Sequence, residues 1–175
     1  DHRYIEYSPG DKIKLKKSAP PPTDPYTQEE INQLLLAAKC TKHFAVWALL
    51  AYTGCRAGEA LGAEWGHFDL DKRVWHLQQS AVLGRIGPTK SLKTRTVDLS
   101  FKLAEILQGV ERKEDCPLLF STANGNPLVL NNLRKRWWRP LLKKAGLRRC
   151  RIHDLRHSYC SRLIAANVSP FYVKT

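Results

Sequence analysis

Between residues 27 and 63 the apolar positions recur at helical spacing. Thr27-Gln28-Glu29-Glu30 sets a hydroxyl and a carboxylate three residues apart, a capping box, directly ahead of Ile31, Leu34 and Leu35. A second apolar helix is predicted over about His43 to Tyr52. Gly54 is its expected stop, because glycine accepts the left-handed backbone at a helix C-terminus. A short helix follows over about Ala57 to Ala63.

The period then changes. His67-Phe68-Asp69-Leu70 and Arg73-Val74-Trp75-His76-Leu77 alternate, with Asp71-Lys72 as the turn between them, and Thr94 to Leu99 alternates again. The stretch holding Gly84, Gly87 and Pro88 reads as a loop, so three short antiparallel strands are expected. Helical spacing returns near Ser100 to Leu107. Beyond the turn Asn124-Gly125-Asn126-Pro127, it continues over about Asn131 to Ala145, capped by Gly146, and over about His153 to Ala166. The pattern is a mainly helical α+β domain with a small three-stranded antiparallel sheet, and 175 residues suffice for its core.

Composition separates the first 25 residues from the rest. Ser8-Pro9-Gly10, Pro20-Pro21-Pro22 and Pro25 punctuate a lysine-rich stretch that reads as a linker or arm. Residues 26–175 read as the compact domain. No apolar run reaches the length of a membrane span and no signal-peptide pattern opens the chain, so a cytoplasmic protein is the expectation. The five cysteines include no C-x-x-C pair, which suggests reduced thiols. Cys150, His153, His157 and Cys160 resemble a zinc pattern. On one helix, though, the two cysteines would lie roughly 15 Å apart, too far for one tetrahedral ion. No metal is expected.

Charge supplies the first functional direction. Twenty-nine Lys and Arg against sixteen Asp and Glu leave a net charge of +13. Such self-repulsion implies a polyanionic partner. From Cys116 to Thr175 the only acid is Asp154. Half of the eighteen positions from Arg134 to Arg151 are basic: Arg134, Lys135, Arg136, Arg139, Lys143, Lys144, Arg148, Arg149 and Arg151. A solvated helix face is the plain alternative, but this density around Trp137 and Trp138 favours contact with a nucleic-acid phosphate backbone.

Three constellations carry candidate chemistry. In Thr53-Gly54-Cys55-Arg56-Ala57-Gly58-Glu59 an arginine opens a helix, where its donors can join backbone N–H groups on an anion, and Glu59 is placed to orient it. An ordinary surface ion pair fits these residues equally well. Gly87 to Val97 carries Lys90, Lys93 and Arg95 on a hairpin that could bring a cation to a ligand or stay solvated. In His153-Asp154-Leu155-Arg156-His157, His153 and Arg156 share a helix face. A guanidinium and an imidazole aimed at one point suit a phosphate, and together with the other cations they could stabilise a phosphoryl-transfer transition state without a metal.

In order and spacing these boxes resemble the signature of the tyrosine recombinase (phage integrase) family: T-G-x-R-x-x-E, a hairpin lysine, then H-x-x-R. Thr23-Asp24-Pro25-Tyr26-Thr27-Gln28-Glu29-Glu30 and Leu119-Phe120-Ser121 add to the likeness, which runs from about residue 20 to the end. The resemblance implies a lambda-integrase-like catalytic core, preceded by an arm from a missing N-terminal DNA-binding domain. It implies that Arg56 and Arg156 clamp the scissile phosphate and that Lys90 is the general acid, with Lys93 as second choice. His153 would assist proton transfer and Glu59 would support. Lys93, Arg95, Arg134, Lys135, Arg136, Arg139, Lys143, Arg148, Arg149 and Arg151 would contact double-stranded DNA.

The family cuts through a 3′-phosphotyrosine, needs no cofactor and works as multimers on DNA; a monomer is the expectation for a fragment. Asn167 to Lys174 resembles the stretch just before the box that precedes the family's tyrosine. Tyr172 therefore comes too early, Tyr159 and Tyr52 read as packing, and no nucleophile is assigned. This chain alone is expected not to cleave. A non-catalytic DNA-binding protein is the alternative, and the joint presence of Arg56, Lys90, His153 and Arg156 speaks against it.

Overall fold

A computed structural model describes residues 24–89 and 94–169. The linker assigned to residues 1–25 lies almost wholly outside the described residues, as do Lys90, Lys93 and Tyr172. Helix α1 (Gln28–Ala38) begins at the expected capping box: the Thr27 hydroxyl accepts from the Glu30 N–H at 3.2 Å, and the Glu30 carboxylate accepts from the Thr27 N–H at 2.8 Å. Helix α2 (Phe44–Thr53) is apolar on every side and buried from Ala45 through Ala51, as a helix without a polar face must be. It is the centre of the domain, with α1, α3 (Ala57–Leu61), α4 (Phe101–Gln108) and α7 (Asp154–Ala165) packed around it.

The expected three-stranded antiparallel sheet is present, with β1 (Phe68–Asp69) and β5 (Arg95–Asp98) flanking β2 (Val74–Leu77). The segment read as a loop departs from that reading. It forms a second hairpin, β3 (Gln79–Val82) with β4 (Arg85–Pro88), turning at Leu83 and Gly84 with φ of 51° and 79°. Two consecutive positive φ angles are what a two-residue hairpin turn requires, and a leucine in the first position hides the signal that Asn-Gly would have given. This hairpin seats α3. An added Cβ on Gly62 would lie 2.7 Å from the Ala81 nitrogen, so helix and strand backbones touch.

The helix expected over Asn131 to Ala145 is interrupted by a π turn. Helix α5 (Leu130–Leu133) runs through the π-helical segment Arg134–Trp138 into α6 (Arg139–Lys144). Pro140 supplies the reason. It has no N–H to donate, and its ring collides with the carbonyl four residues back, so the turn before it widens. The Arg139 N–H accordingly reaches the Arg134 carbonyl, five residues away. Trp138 enters the core at 5.1 Å from Trp47, its indole N–H donating to the Cys150 carbonyl at 2.7 Å. Trp137 is left at the surface, with the Lys42 ammonium 4.5 Å above its ring.

Candidate active site

The site grows from the turn between α2 and α3. Gly54 ends α2 in the left-handed conformation with φ of 61°, and Arg56 is the N-cap of α3. Glu59, one turn into α3, is buried, with its side chain 2% exposed. It accepts from four donors. The Arg56 N–H and Nη1 each lie at 2.8 Å, and the Arg95 Nη2 and Nη1 lie at 2.7 and 3.2 Å. Burial alone would push the Glu59 carboxyl up. The hydrogen bonds from Arg95, then from the Arg56 N–H and guanidinium, outweigh it and hold the group below the usual carboxylate range.

The H-x-x-R box meets this turn from the other end of the chain. Arg156, on α7, donates from Nη1 to the Gly54 carbonyl at 2.7 Å. Tyr159 packs directly against Gly54, so close that an added Cβ would be 2.3 Å from Tyr159 Cδ1. Arg95 and Arg156 line one small crevice with Gly54 and Tyr159. His153 is the exposed N-cap of α7, its ring edge-to-face with His157 at 5.0 Å. Burial, then the neighbouring His157 and Arg156, push the His153 imidazole below its ordinary value and favour the neutral ring. Arg156 thus reaches the turn that carries Arg56, whereas the crevice it lines with Arg95 includes neither Arg56 nor His153.

The basic residues divide by their surroundings. Arg134, Lys135, Arg136, Arg139, Lys143 and Arg149 are exposed. Arg134, Arg139, Lys143 and Arg149 line a groove of about 770 Å³, while Arg136 lies with Trp137 on a different one. Arg151, also exposed, grips Asp154 through Nε and Nη2 at 3.1 and 2.8 Å.

Other expected DNA contacts also have partners within the chain, among them Arg134, whose Nη2 donates to the Asn131 Oδ1 at 2.9 Å, Arg148 and Arg95. Arg148 bonds the Glu30 carboxylate and the carbonyls of Asp24 and Pro25, and stands 4.7 Å from the Tyr26 ring centroid, pinning the start of the domain. Arg95 turns inward to Glu59. The sequence held a signal for it: Arg95 is two residues before Val97 on β5, hence on the same face, and it pairs with the buried Leu77. The Gly54 carbonyl as a partner for Arg156 carried no such signal, because the two are 102 residues apart.

Among the described residues no helix is long and apolar enough to cross a membrane, and no three His, Cys, Asp or Glu side chains converge as metal ligands would.

Comparison with known proteins places this arrangement. The prophage integrase IntR of Escherichia coli K12 is 24% identical across 97% of this chain and 48% of its own length. A XerC-like tyrosine recombinase of Caldanaerobacter subterraneus subsp. tengcongensis is 25% identical across 94% of this chain and 48% of its own. The chain therefore spans about half the length of these curated relatives. The Tn1549 transposon integrase, solved with circular intermediate DNA, superposes with a TM-score of 0.76 at 22% identity, over 97% of this chain and 62% of that one. The XerA recombinase gives 0.73 at 23% identity, over 89% and 56%. The fold is thus the catalytic-domain fold of tyrosine recombinases. The sequence profile of the phage integrase family matches residues 26–174, nearly all of the compact domain, and the chain belongs to that family.

Proposed function

We propose that this domain binds duplex DNA and activates one scissile phosphate for site-specific strand cleavage and rejoining. The observation that carries the reading is the Arg156–Gly54 hydrogen bond, which draws the H-x-x-R helix onto the turn that bears Arg56. Arg56 and Arg156 hold the non-bridging oxygens, and Glu59 fixes Arg56. His153, on the Arg156 face, shares in proton transfer. Lys90, or Lys93 in its place, is the hairpin acid. The basic groove beside α6 carries the flanking phosphates.

The chemistry is two balanced transfers. A tyrosine hydroxyl attacks phosphorus, its proton passing to the neutral His153 imidazole, and the P–O5′ bond breaks. The leaving 5′-oxygen takes a proton from the lysine, and the reverse exchange restores the diester with no oxidant or external energy source. We read Tyr26 and Tyr159 as structural. The Tyr26 hydroxyl donates to the Arg148 carbonyl at 2.5 Å, and Tyr159 packs on Gly54 with its phenol pushed up by burial. We place the nucleophile beyond these 175 residues because, in the resemblance to the family, Asn167 to Lys174 matches the stretch before the box that precedes its tyrosine, and we take the working assembly to be a multimer on DNA.

Strand exchange by the whole gene product tests the assignment. Arg156→Ala removes a phosphate donor and is expected to lower the rate by about 10²-fold or more. Recombination at an unchanged rate would refute the clamp. This chain alone, given a nicked suicide duplex, should bind with a log–log salt slope of about −0.9 per phosphate and form no covalent adduct. An adduct would refute the account of the tyrosine.

A further inference from the structure

We infer that Arg95 is a positioning residue that keeps Arg56 available as a cation by occupying Glu59, an inference that rests on the phosphate-clamp reading above. Three charges meet at this spot, two guanidinium groups and one carboxylate, and the cluster carries one net positive charge. Their exposure is unequal. The Arg95 side chain is 16% exposed and that of Glu59 is 2%, whereas that of Arg56 is 42% exposed. The excess charge therefore reaches solvent through Arg56.

Bond geometry assigns the same division. Arg95 presents a two-pronged face, Nη2 to Oε2 at 2.7 Å and Nη1 to Oε1 at 3.2 Å. This is the fork-to-fork arrangement in which an arginine satisfies a carboxylate most fully. Arg56 commits one nitrogen of its fork, Nη1, to Oε1, while its backbone N–H takes Oε2. Take Arg95 away and the stoichiometry becomes one to one. The freed lone pairs of a desolvated carboxylate would draw the rest of the Arg56 fork inward. The pair would then be neutral, and a phosphate would have to compete with an internal anion for its own ligand.

A purely architectural role explains less. Arg95 is on the core-facing side of β5, opposite Leu77, where an apolar residue would pack. Buried ion pairs in such places are seldom kept for stability, since well-packed apolar replacements are often as stable or more so. An arginine there, paired to the one carboxylate that also holds Arg56, has its effect on the charge state of the opening turn of α3.

Arginine side-chain NMR on the 175-residue chain, with inorganic phosphate as the probe, tests this in two steps. In the phosphate-free protein, Arg95→Gln should slow exchange of the Arg56 guanidinium protons by about tenfold, the equivalent of one added charge-assisted hydrogen bond. In the phosphate titration, the same variant should weaken binding read at Arg56 by about tenfold, and Arg95→Lys should recover most of the loss. The deciding variant is Glu59→Gln combined with Arg95→Gln. With no carboxylate left to capture Arg56, phosphate should bind at least about threefold more tightly than to Arg95→Gln, though short of the wild type because Glu59 no longer holds Arg56. A merely structural Arg95 would give the opposite, a double variant worse than the single.

Unchanged Arg56 exchange in Arg95→Gln, or a double variant as weak as the single, overturns the inference. Should Arg95→Gln fail to fold, Arg95→Lys decides it: a lysine gives up the two-pronged bond to Glu59, so Arg56 exchange should slow by about twofold, and unchanged exchange overturns the inference. A wild-type chain whose Arg56 and Arg156 signals ignore phosphate would instead sink the clamp itself. The phosphate-free exchange measurement would still judge the coupling between Arg95 and Arg56.

Discussion

Replacing Gly54 by alanine strikes the point where both halves of the site meet. Two costs add. At φ of 61° the backbone is left-handed, which costs a residue with a Cβ roughly 1–2 kcal/mol. The new methyl would also lie 2.3 Å from Tyr159 Cδ1 and 2.8 Å from Cγ, so α7 must retreat or the ring must turn. Overpacking of this kind typically costs a further 1–3 kcal/mol or so. Together Gly54→Ala should destabilise by about 2–5 kcal/mol, a large share of a stability that is roughly 5–15 kcal/mol for most domains.

Urea unfolding followed by tryptophan fluorescence measures this, and a double-mutant cycle separates the two causes. In a Tyr159→Ala background the clash is gone, and Gly54→Ala should cost only the backbone share of roughly 1–2 kcal/mol. The coupling between the sites should therefore be about 1–3 kcal/mol. A Gly54→Ala variant within about 0.5 kcal/mol of wild type, or a coupling indistinguishable from zero, would refute the close approach of α7 to this turn. With it would go the geometric basis for joining Arg156 to Arg56.

Other outcomes follow from single contacts. Because the Glu59 carboxyl ionises below its ordinary value, its contribution is fully present above the unfolded pKa of about 4.3 and is lost as pH falls through the folded value. Acid titration of stability should be shallower in Glu59→Gln, and an identical profile would contradict the four-donor environment. Burial, aided by Lys42, lowers the His43 imidazole to about 4, so His43 folds neutral and its contribution is lost as pH falls from about 6.5 towards that value. His43→Phe should remove up to about 1.4 kcal/mol per pH unit of slope across that window, measured by urea midpoints at fixed pH. Trp138→Phe deletes the bond to the Cys150 carbonyl and should cost about 1–3 kcal/mol in the same unfolding assay. Leu83 is 88% exposed at φ of 51°, and Leu83→Asn should gain up to about 1 kcal/mol of thermal stability by relieving the left-handed strain.

Local physics left clear marks in the sequence. The capping box at Thr27, the stop at Gly54, the alternation of β2 and β5 and the apolar run of α2 are each set by residues within a few positions of one another, and each is found where the pattern put it. The Leu83-Gly84 hairpin was not legible, since its turn uses a leucine where the usual signal is an asparagine. Nor was the π turn, although Pro140 was in plain view: a proline states that a helix must deviate, and packing chooses how.

The candidate site divides along the same line. Residue types, their order and the resemblance to the family made Arg56, Glu59, His153 and Arg156 candidates, because phosphate chemistry restricts which side chains can serve. Lys90 and Lys93 lie outside the described residues. What composition could not settle was the direction in which a charge points. Arg95 and Arg149 look alike as members of a basic stretch, yet one is folded inward onto Glu59 and the other is exposed. That choice belongs to the tertiary structure, because a guanidinium goes where a desolvated carboxylate is. Glu59 becomes desolvated only when α2, α3 and β5 close around it.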